Sequence, residues 1–436
     1  MATESALSPG AVTPVTEPVQ PTNVSQVLES LVEQFASQQA IATFRQNTTW
    51  QRTVLQSRTA GQGYNNELPA SVDIGLPNNG LSVYLGIKHV TTITVANTNA
   101  TAETLNISPW FPYNLYASNQ LSINGQGNSP HAVSSLGDLM VAVRSKLASL
   151  VKGERNAPPN AFVSVVFNSL TPTASTLFSL SGYQSVSVAA STTGTIVVTW
   201  YEKHKLAYSR LNPMGTIPLN NTQLNAVFTK TQAPAYTSQT NASVALYNVP
   251  NGVNITVQDT LYPTYYYWAT PQDPSVYAKF VSQVYIVSEQ SNITTNATGQ
   301  QAFQYNLPLS QYITALHTFW TDGNGNPLTI YSNVDNINLW LAAGTVRPVV
   351  FDTGTHQFEQ ALDYGQDFSV VPGYLLWDGN DTAELPMISD DTGWFNTYNA
   401  SNPALVADII GNPALPVKTR VVRESLVDGT IQTYTG

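Results

Sequence analysis

The sequence predicts an all-β protein with a few helical insertions, and three observations support this fold class. Charged residues make up only 10% of the 436-residue chain, against roughly 25% in a typical soluble domain. The polar surface must therefore come from Asn, Thr, Gln and Ser, which favour turns and strand faces over exposed helices. Alternating apolar and polar residues recur in long runs, notably at 81–96 and 253–269. At 42% hydrophobic residues, the chain can also form large buried cores.

The N-terminal region divides into a flexible arm and an amphipathic helix. Residues 1–22 are rich in Pro, Thr, Ser and Val without periodicity, which is typical of a flexible segment. A helix is predicted over 25–43, with Leu28, Leu31 and Phe35 on its apolar face and Glu and Gln opposite. Two interpretations stay open: this apolar face docks on its own domain, or it contacts another subunit or surface.

The first half of the chain carries a series of predicted strands and one long helix. The helix is predicted at 134–152, where apolar residues recur at helical spacing and basic residues crowd the last turns. Asn-Gly turns end several of the strands. The predicted strands lie at 71–76, 81–96, 114–124, 161–167, 184–189, 195–201 and 223–229.

The second half repeats this organisation with negligible residue identity to the first. Two short helices are predicted within it, at 307–320 with Ser310 as cap and at 355–365 with Gly365 as stop. They lie about as far into this half as 134–152 lies into the first. We expect both helices to form the base of the second half. The predicted strands lie at 244–249, 253–269, 277–288, 349–352, 373–377 and 417–427. The side chains expected to pack at this base are Phe319, Trp320, Phe358 and Leu362.

About eight strands of short to medium length per half, with long excursions between some of them, favour jelly-roll sandwiches. A meander barrel would need short, even hairpins, and a propeller would need a repeat of roughly 40–50 residues. The prediction is therefore two consecutive eight-stranded jelly rolls with short helical insertions and an N-terminal amphipathic helix. The predicted domains are an arm at 1–22, a helix and base segment at 23–64, and jelly rolls at 65–243 and 244–436.

The sequence predicts no catalytic residue, no cofactor and no metal site. No two histidines have the spacing of a metal grip, and each is interpreted as a packed or surface residue. His89 is assigned to a strand, and His317 and His356 to the short helices. The chain has no cysteine and no G-x-S-x-G nucleophile elbow. The five histidines are His89, His131, His204, His317 and His356.

The carboxylates allow two further interpretations, a glycoside-active enzyme and a cation-binding loop. A glycosidase needs only two of them, so a glycoside-active enzyme stays open as a third alternative. The turn at Asp322 resembles the start of a calcium loop, but Pro327 and Asn333 occupy positions that require Gly and Glu. At most a weak cation site remains there. The carboxylates considered for catalysis are Glu359, Asp363, Asp378, Asp381, Glu384, Asp390 and Asp391.

Charge and aromatic content narrow the classes of partner. The formal net charge is −10 without any Lys/Arg cluster, which argues against direct nucleic-acid binding. Aromatic residues concentrate at 108–116 and 261–268. Exposed aromatic platforms would suggest carbohydrate stacking, whereas core packing or a subunit interface is the more common explanation.

Four passages resemble the double jelly-roll major capsid proteins of tailless icosahedral viruses. The likeness is to the tectivirus type, with the adenovirus hexon as a distant relative. The passages are the N-terminal helix, SVDIGLPNNGLSVYLGIKHVTTITVANTNATAETLNI, YEKHKLAYSRLNPMGTIPLNNTQLNAVFT, and TDGNGN through VVFDTGTHQFEQALDYGQDFSVVPGYLLWDGN. The last is similar to the family's helical insertion between the F and G strands of the second roll, and VKTRVVRESLV fits that roll's end.

This resemblance implies a structural virion protein, assembled in the host cytoplasm, without catalytic residues or cofactor. It implies a homotrimer whose six jelly rolls form a pseudo-hexagonal capsomer of an icosahedral shell. Partners would be neighbouring capsomers and minor capsid or penton proteins, with an internal lipid membrane left open and no direct nucleic acid. Leu28, Leu31 and Phe35 would then face a neighbouring base or that membrane. The main alternative is a β-sandwich adhesin or a receptor- or carbohydrate-binding module.

Overall fold

The computed structural model describes most of the chain between residues 38 and 429, and these residues are largely β-strand. The described ranges are 38–63, 71–108, 110–125, 129–150, 163–174, 183–209, 213–219, 225–232, 246–247, 249–295, 302–341, 349–351, 353, 373–379 and 394–429.

Strands β1 to β14 belong to the first part of the chain. They are β1 (Trp50–Val54), β2 (Arg58–Gly63), β3 (Ser71–Leu76), β4 (Gly80–Asn97), β5 (Glu103–Ile107), β6 (Tyr116–Ile123), β7 (His131–Val133), β8 (Ser164–Asn168), β9 (Thr171–Ala174), β10 (Tyr183–Val188), β11 (Thr193–Lys205), β12 (Ile217–Leu219), β13 (Ala226–Gln232) and β14 (Leu246–Tyr247).

Strands β15 to β24 follow, and a few helices interrupt the strands. The strands are β15 (Val253–Ala269), β16 (Gln283–Thr294), β17 (Ala302–Asn306), β18 (Tyr312–Thr321), β19 (Val334–Trp340), β20 (Val349–Phe351), β21 (Tyr374–Asp378), β22 (Phe395–Asn396), β23 (Ala404–Ile409) and β24 (Lys418–Asp428). The helices are α1, described over 38–47, then α2 (Ser135–Leu150), α3 (Ala278–Val281) and α4 (Ile330–Asn333), with single 3-10 turns at Tyr113–Leu115 and Pro274–Val276.

The strands form four sheets. A seven-stranded sheet, here the first outer sheet, has the order β1-β15-β4-β11-β8, with β2 on β15 and β12 on β4. A small sheet has the order β14-β5-β10-β9, and a second outer sheet the order β17-β23-β19-β20. The shared sheet has nine strands in the order β21-β18-β24-β16-β7-β6-β13-β3, with β22 on β18.

The shared sheet consists of two four-stranded halves with the same connectivity. In β3-β13-β6-β7, the strand that comes first in the sequence pairs with the strand that comes last. The two strands between them in the sequence then follow in sequence order. The order β16-β24-β18-β21 repeats this arrangement in the second part of the chain. Each half packs its alternating buried residues against an outer sheet, which makes two sandwiches.

The two halves of the shared sheet join where β7 and β16 run parallel. Val287 pairs with His131 and Ser288 with Ala132, and the Val287 N–H donates to the Pro130 carbonyl at 2.8 Å. Helix α2 packs over this joint, because Val141 clusters with side chains of β7, β16 and β24. We call this joint, with α2 over it, the seam. The two sandwiches therefore form one connected body.

The predicted helix at 307–320 is wrong, because this segment contains strand β18. It pairs with β24 on one side and β21 on the other. Leu316 and Trp320 enter the core of the second sandwich, whereas Ala315 and Phe319 pack against a cluster of the first. A strand buried on both faces reads as a continuous apolar run, which periodicity cannot separate from a buried helix.

Other predictions have mixed outcomes. The long helix at 134–152 is confirmed as α2, but Ser310 caps nothing and lies at a positive φ of 58° before β18. The predicted strand 277–288 instead begins with α3. The second short helix, with Phe358 and Leu362, lies outside the described residues. Within the described residues, no helix combines the length and apolar character needed to cross a lipid bilayer.

Candidate functional site

Polar and charged side chains occupy inward positions on four strands of the first sandwich. On β11, Glu202 and His204 continue the buried phase that Val198 and Trp200 begin. Side chains two apart on a strand share one face, so these two charges point into the core. The same holds for His89 on β4, Asp259 on β15 and Lys230 on β13, all of them fully buried. We call this group, with Asp138 and His131, the charged core.

His89 lies at one end of the charged core between two carboxylates. Its Nδ1 is 2.6 Å from Asp259 Oδ2, and its Nε2 is 3.1 Å from Glu202 Oε2. Trp200 stacks on the imidazole at 4.0 Å between ring centroids. Both ring nitrogens thus face carboxylate oxygens, which accept hydrogen bonds.

Lys230 compensates Glu202 at the centre. Its ammonium donates to Glu202, to Asn119 Oδ1 at 2.7 Å and to Ser135 Oγ at 3.3 Å. An isolated buried ammonium would cost several kcal/mol of desolvation. Three acceptors satisfy its three donors, so the charge is fully hydrogen-bonded inside the core.

At the other end, Asp138 lies between two histidines. It stands in the first turn of α2, where the cap Ser134 accepts from the Gly137 N–H at 3.0 Å. Asp138 Oδ2 is 2.7 Å from His204 Nδ1, and Oδ1 is 3.0 Å from His131 Nε2. His131 is the first residue of the seam strand β7. The charged core thus runs from β15 of the first outer sheet to the seam.

The pKa values follow from this pairing. Burial alone would raise the pKa of the Asp138, Glu202 and Asp259 carboxyls, but the cations beside them hold all three below their ordinary values. Burial would lower the pKa of His204, yet the Asp138 and Glu202 carboxylates raise it. The three carboxylates are therefore ionised at neutral pH and stabilised by the groups around them.

A second buried network lies on the other side of the seam. Glu424 accepts from Lys205 Nζ at 2.7 Å, from the Tyr285 hydroxyl, and faces His317 Nε2 at 2.9 Å. His317 Nδ1 is 2.9 Å from the Tyr374 hydroxyl. Contrary to the prediction, His317 is in strand β18 and not in a helix. The Lys205 carbonyl meets His131 Nδ1 at 3.0 Å and links the two networks.

These networks were not found from the sequence, although a signal for them exists. The four described histidines are distant in sequence, and no short spacing connects them. Their inward phase is readable, however, because Glu202 and His204 follow Trp200 at intervals of two. Charged residues in the apolar phase of a strand are the feature that indicates a buried polar core.

The predicted contact residues Leu28, Leu31 and Phe35 lie outside the described residues. The described part of the helix docks on its own chain, since Phe44 is fully buried against Leu81, Trp268 and Phe280. The Phe44 ring meets the last two edge-on, with centroids 5.6 and 5.3 Å away.

Exposed apolar side chains flank the exposed Lys88 on the first outer sheet. Tyr201 and Tyr262 both pair with Lys88 and are 52% and 46% exposed. Val54, 72% exposed, pairs with Thr264 on the same face. We call these side chains the tyrosine row. The other aromatics of the two predicted clusters are mainly core, as with Tyr113 and Tyr265. The tyrosine row is therefore the candidate contact surface among the described residues.

The geometry of the described residues adds no support for catalytic carboxylates or for a calcium loop at Asp322. Asp378 ends strand β21, and the other carboxylates considered for catalysis lie outside the described residues. The Asp322 carboxylate accepts N–H bonds from the backbone of Asn324 and Asn326 at 2.9 and 2.8 Å, as a turn requires.

Comparisons with known proteins agree with this architecture. No protein-family model and no curated protein sequence matches the chain. The crystal structure of the STIV MCP matches with a TM-score of 0.54 and 15% identity over 88% of this chain and 98% of that one. A chain in the atomic structure of Sulfolobus Turreted Icosahedral Virus matches with a TM-score of 0.53 and 14% identity, over 88% and 97%. The fold is a double jelly roll.

The double jelly roll confirms the predicted fold class. The charged core lies inside the first roll, and both rolls contribute strands to the shared sheet. Strand β15 lies beyond the predicted limit at residue 244, yet it pairs with β4 of the first roll along its whole length. The domain limits stay a prediction, because residues 64–70 and 233–245 lie outside the described residues.

Proposed function

We propose that this protein is a major capsid protein, a structural component of an icosahedral virion rather than an enzyme. One observation carries the proposal: two jelly rolls of equal connectivity stand side by side in one chain and share one continuous sheet. That is the fold of the STIV MCP. A connected body with two similar halves is suited to tiling, because each chain presents two quasi-equivalent units to its neighbours.

The assembly we propose is a homotrimer. Three chains place six jelly rolls around one axis and so approximate a hexagon, which packs into a shell beside minor capsid or penton proteins. The low charge density supports this, because a strongly charged surface would repel its copies in a dense lattice. The tyrosine row is the proposed contact surface between chains, since aromatic residues are enriched at subunit interfaces.

The oligomeric state of the full chain tests this proposal. Analytical ultracentrifugation should give a stable trimer, and electron microscopy should show pseudo-hexagonal particles or lattices. Tyr201→Ser combined with Tyr262→Ser should weaken the trimer or the lattice. Leu309→Ser is the matched control, because Leu309 is equally exposed at 55% but lies before β18, away from this sheet. A monomer that binds glycans through the two tyrosines would instead support the adhesin.

The N-terminal helix has a separate proposed role. Leu28, Leu31 and Phe35 face a neighbouring base or an internal membrane in the shell. Because Phe44 is buried in its own chain, the informative deletion removes residues 1–37 and keeps that contact. The truncated protein should form trimers but fail to form shells. Normal shells from it would contradict this role without affecting the proposed trimer.

A further inference from the structure

Three side chains from distant parts of the sequence converge at the seam end of the charged core. His131 is on β7, Asp138 on α2 and His204 on β11. Each is at most 1% exposed, and one nitrogen or oxygen of each lies within 4.8 Å of the others. Among the described residues, no other group of histidines and carboxylates has this geometry.

The hydrogen bonding of His131 defines which nitrogen is free to bind. Its Nδ1 faces the Lys205 carbonyl oxygen at 3.0 Å, so Nδ1 carries the hydrogen and donates it. In the neutral ring, Nε2 then carries a lone pair and no hydrogen. It lies 3.0 Å from Asp138 Oδ1, and neither atom has a hydrogen-bond partner of acceptable geometry. Two acceptors at this distance need a proton or a metal ion between them.

His204 presents its other ring nitrogen to the same carboxylate. Its Nε2 is 3.2 Å from the Glu202 carboxylate, and its Nδ1 points to Asp138 Oδ2 at 2.7 Å. The distal nitrogen of His131 thus has a hydrogen-bond acceptor, which is how proteins orient histidines that bind metals. The distal nitrogen of His204 lies beside a carboxylate but makes no hydrogen bond of acceptable geometry. The Asn119 amide donates to Asp138 Oδ2 at 2.8 Å and fixes the carboxylate.

We propose that His131 Nε2, His204 Nδ1 and the Asp138 carboxylate bind one divalent transition-metal ion. Imidazole and carboxylate donors without sulfur suit Zn²⁺, Co²⁺ or Ni²⁺ better than Ca²⁺ or Mg²⁺, which take oxygen ligands. Ligands about 2.1 Å from zinc stand roughly 3.3 Å apart in a tetrahedral site. The ligand pairs at 2.7 and 3.0 Å would therefore move apart by about half an ångström.

The ion would act as a structural clamp. It would tie the seam strand β7 and helix α2 to β11 of the first outer sheet, which otherwise meet through side-chain contacts. Because the ligands are buried, the ion must be incorporated as the chain folds rather than added to the folded protein. This site does not depend on the proposed capsid function, and its test needs no assembled particle.

The experiment uses the full-length protein without a histidine tag. The chain is expressed in medium supplemented with ZnCl₂ and in medium depleted of metals, then dialysed against EDTA-free buffer. Elemental analysis should find about one zinc per chain in the first preparation. Thermal unfolding of that preparation should have a midpoint higher by about 2 °C or more. Protein expressed with CoCl₂ should show the visible absorption bands of nitrogen- and oxygen-ligated Co²⁺.

Variants distinguish a specific loss of bound zinc from a general loss of protein stability. Asp138→Asn and His131→Gln should lower the bound zinc at least tenfold. His317→Gln is the matched control, because His317 is equally buried between Glu424 and the Tyr374 hydroxyl but has no second histidine beside it. It should retain about one zinc while losing stability.

Two outcomes would overturn the proposal. One is wild-type protein from zinc-rich medium that holds less than about a tenth of an equivalent, whatever the variants do. The other is an NMR spectrum of that protein in which His131 Nε2 and His204 Nδ1, the two proposed ligand atoms, both carry a proton at neutral pH. Protons would then occupy the positions assigned to the ion.

Discussion

The two jelly rolls share a sheet, but their interiors differ. The first contains buried Glu202 and Asp259, which pair with His89, and Lys230, which pairs with Glu202. The second has a core of aliphatic and aromatic side chains such as Phe303, Trp320 and Trp377. The buried charges of its strands, His317 and Glu424, lie on the other face of the shared sheet, among the seam contacts.

The two interiors contribute different properties: apolar burial mainly stabilises a roll, whereas buried charges mainly determine which strand register is allowed. Apolar burial stabilises by roughly 25 cal/mol per Å² and tolerates small rearrangements. Buried ion pairs contribute little net free energy, but they destabilise strongly any register that leaves a charge unpaired. The charged core joins β4, β11, β13, β15, β7 and α2. We infer that it fixes the register of the first roll, whereas the second roll relies on packing.

The largest effect is expected from breaking the centre of the charged core. Glu202→Gln removes the anion that Lys230, His89 and His204 share, and should lower the free energy of unfolding by about 3–5 kcal/mol. Chemical denaturation measures it. Combining it with Lys230→Met should recover part of the loss, because no cation is then left unpaired. Equal or greater loss in the double variant would show that packing, not charge, dominates there.

A slightly smaller effect is expected in the apolar core of the second roll. Leu316→Ala leaves a cavity in β18, where Leu316 is fully buried, and should cost about 2–5 kcal/mol. Leu309→Ala, at an exposed position just before this strand, should change the free energy of unfolding by less than about 0.5 kcal/mol. Equal stability of both variants would contradict the placement of this strand.

A change of stability with pH is expected from Asp259 in the charged core of the first roll. Since the pKa of Asp259 is lowered in the folded protein, its ionisation stabilises fully above the unfolded value of about 3.9 and is lost as the pH falls through the folded value. Asp259→Asn should therefore destabilise at pH 7 and flatten the loss of stability below about pH 4. Asp273→Asn is the control. Its lowered pKa arises from a turn hydrogen bond at a fully exposed position.

The smallest effect is expected at the rim of the seam. Arg420 pairs with Glu289 and donates to Ser134 Oγ at 2.7 Å, but its side chain is 29% exposed. Arg420→Met should cost about 1 kcal/mol or less, and the difference from wild type should shrink in 1 M NaCl. A loss as large as that of Glu202→Gln would place this pair among the fully buried charges.

Much of the fold was predictable, because one-sided strands keep a visible alternation. Strands β4 and β15 and helix α2 were found in this way. β18 was not, because Ala315 and Phe319 face one roll while Leu316 and Trp320 face the other. No alternation survives when both faces are buried. The charged core required tertiary structure, since its members become neighbours only through strand pairing. Their inward phase on β11 and β13 was the one trace of it in the sequence.

The joint between β7 and β16 has a consequence for how the chain is made. An unpaired strand edge is a template on which other chains can aggregate. The joint removes two such edges and leaves β3 at one end of the shared sheet, with β21 and β22 at the other. Its partners come from opposite halves of the chain, and contacts this distant in sequence form late. During synthesis, β7 therefore remains open until β16 has emerged, and we expect mispairing between nascent chains to concentrate in that interval.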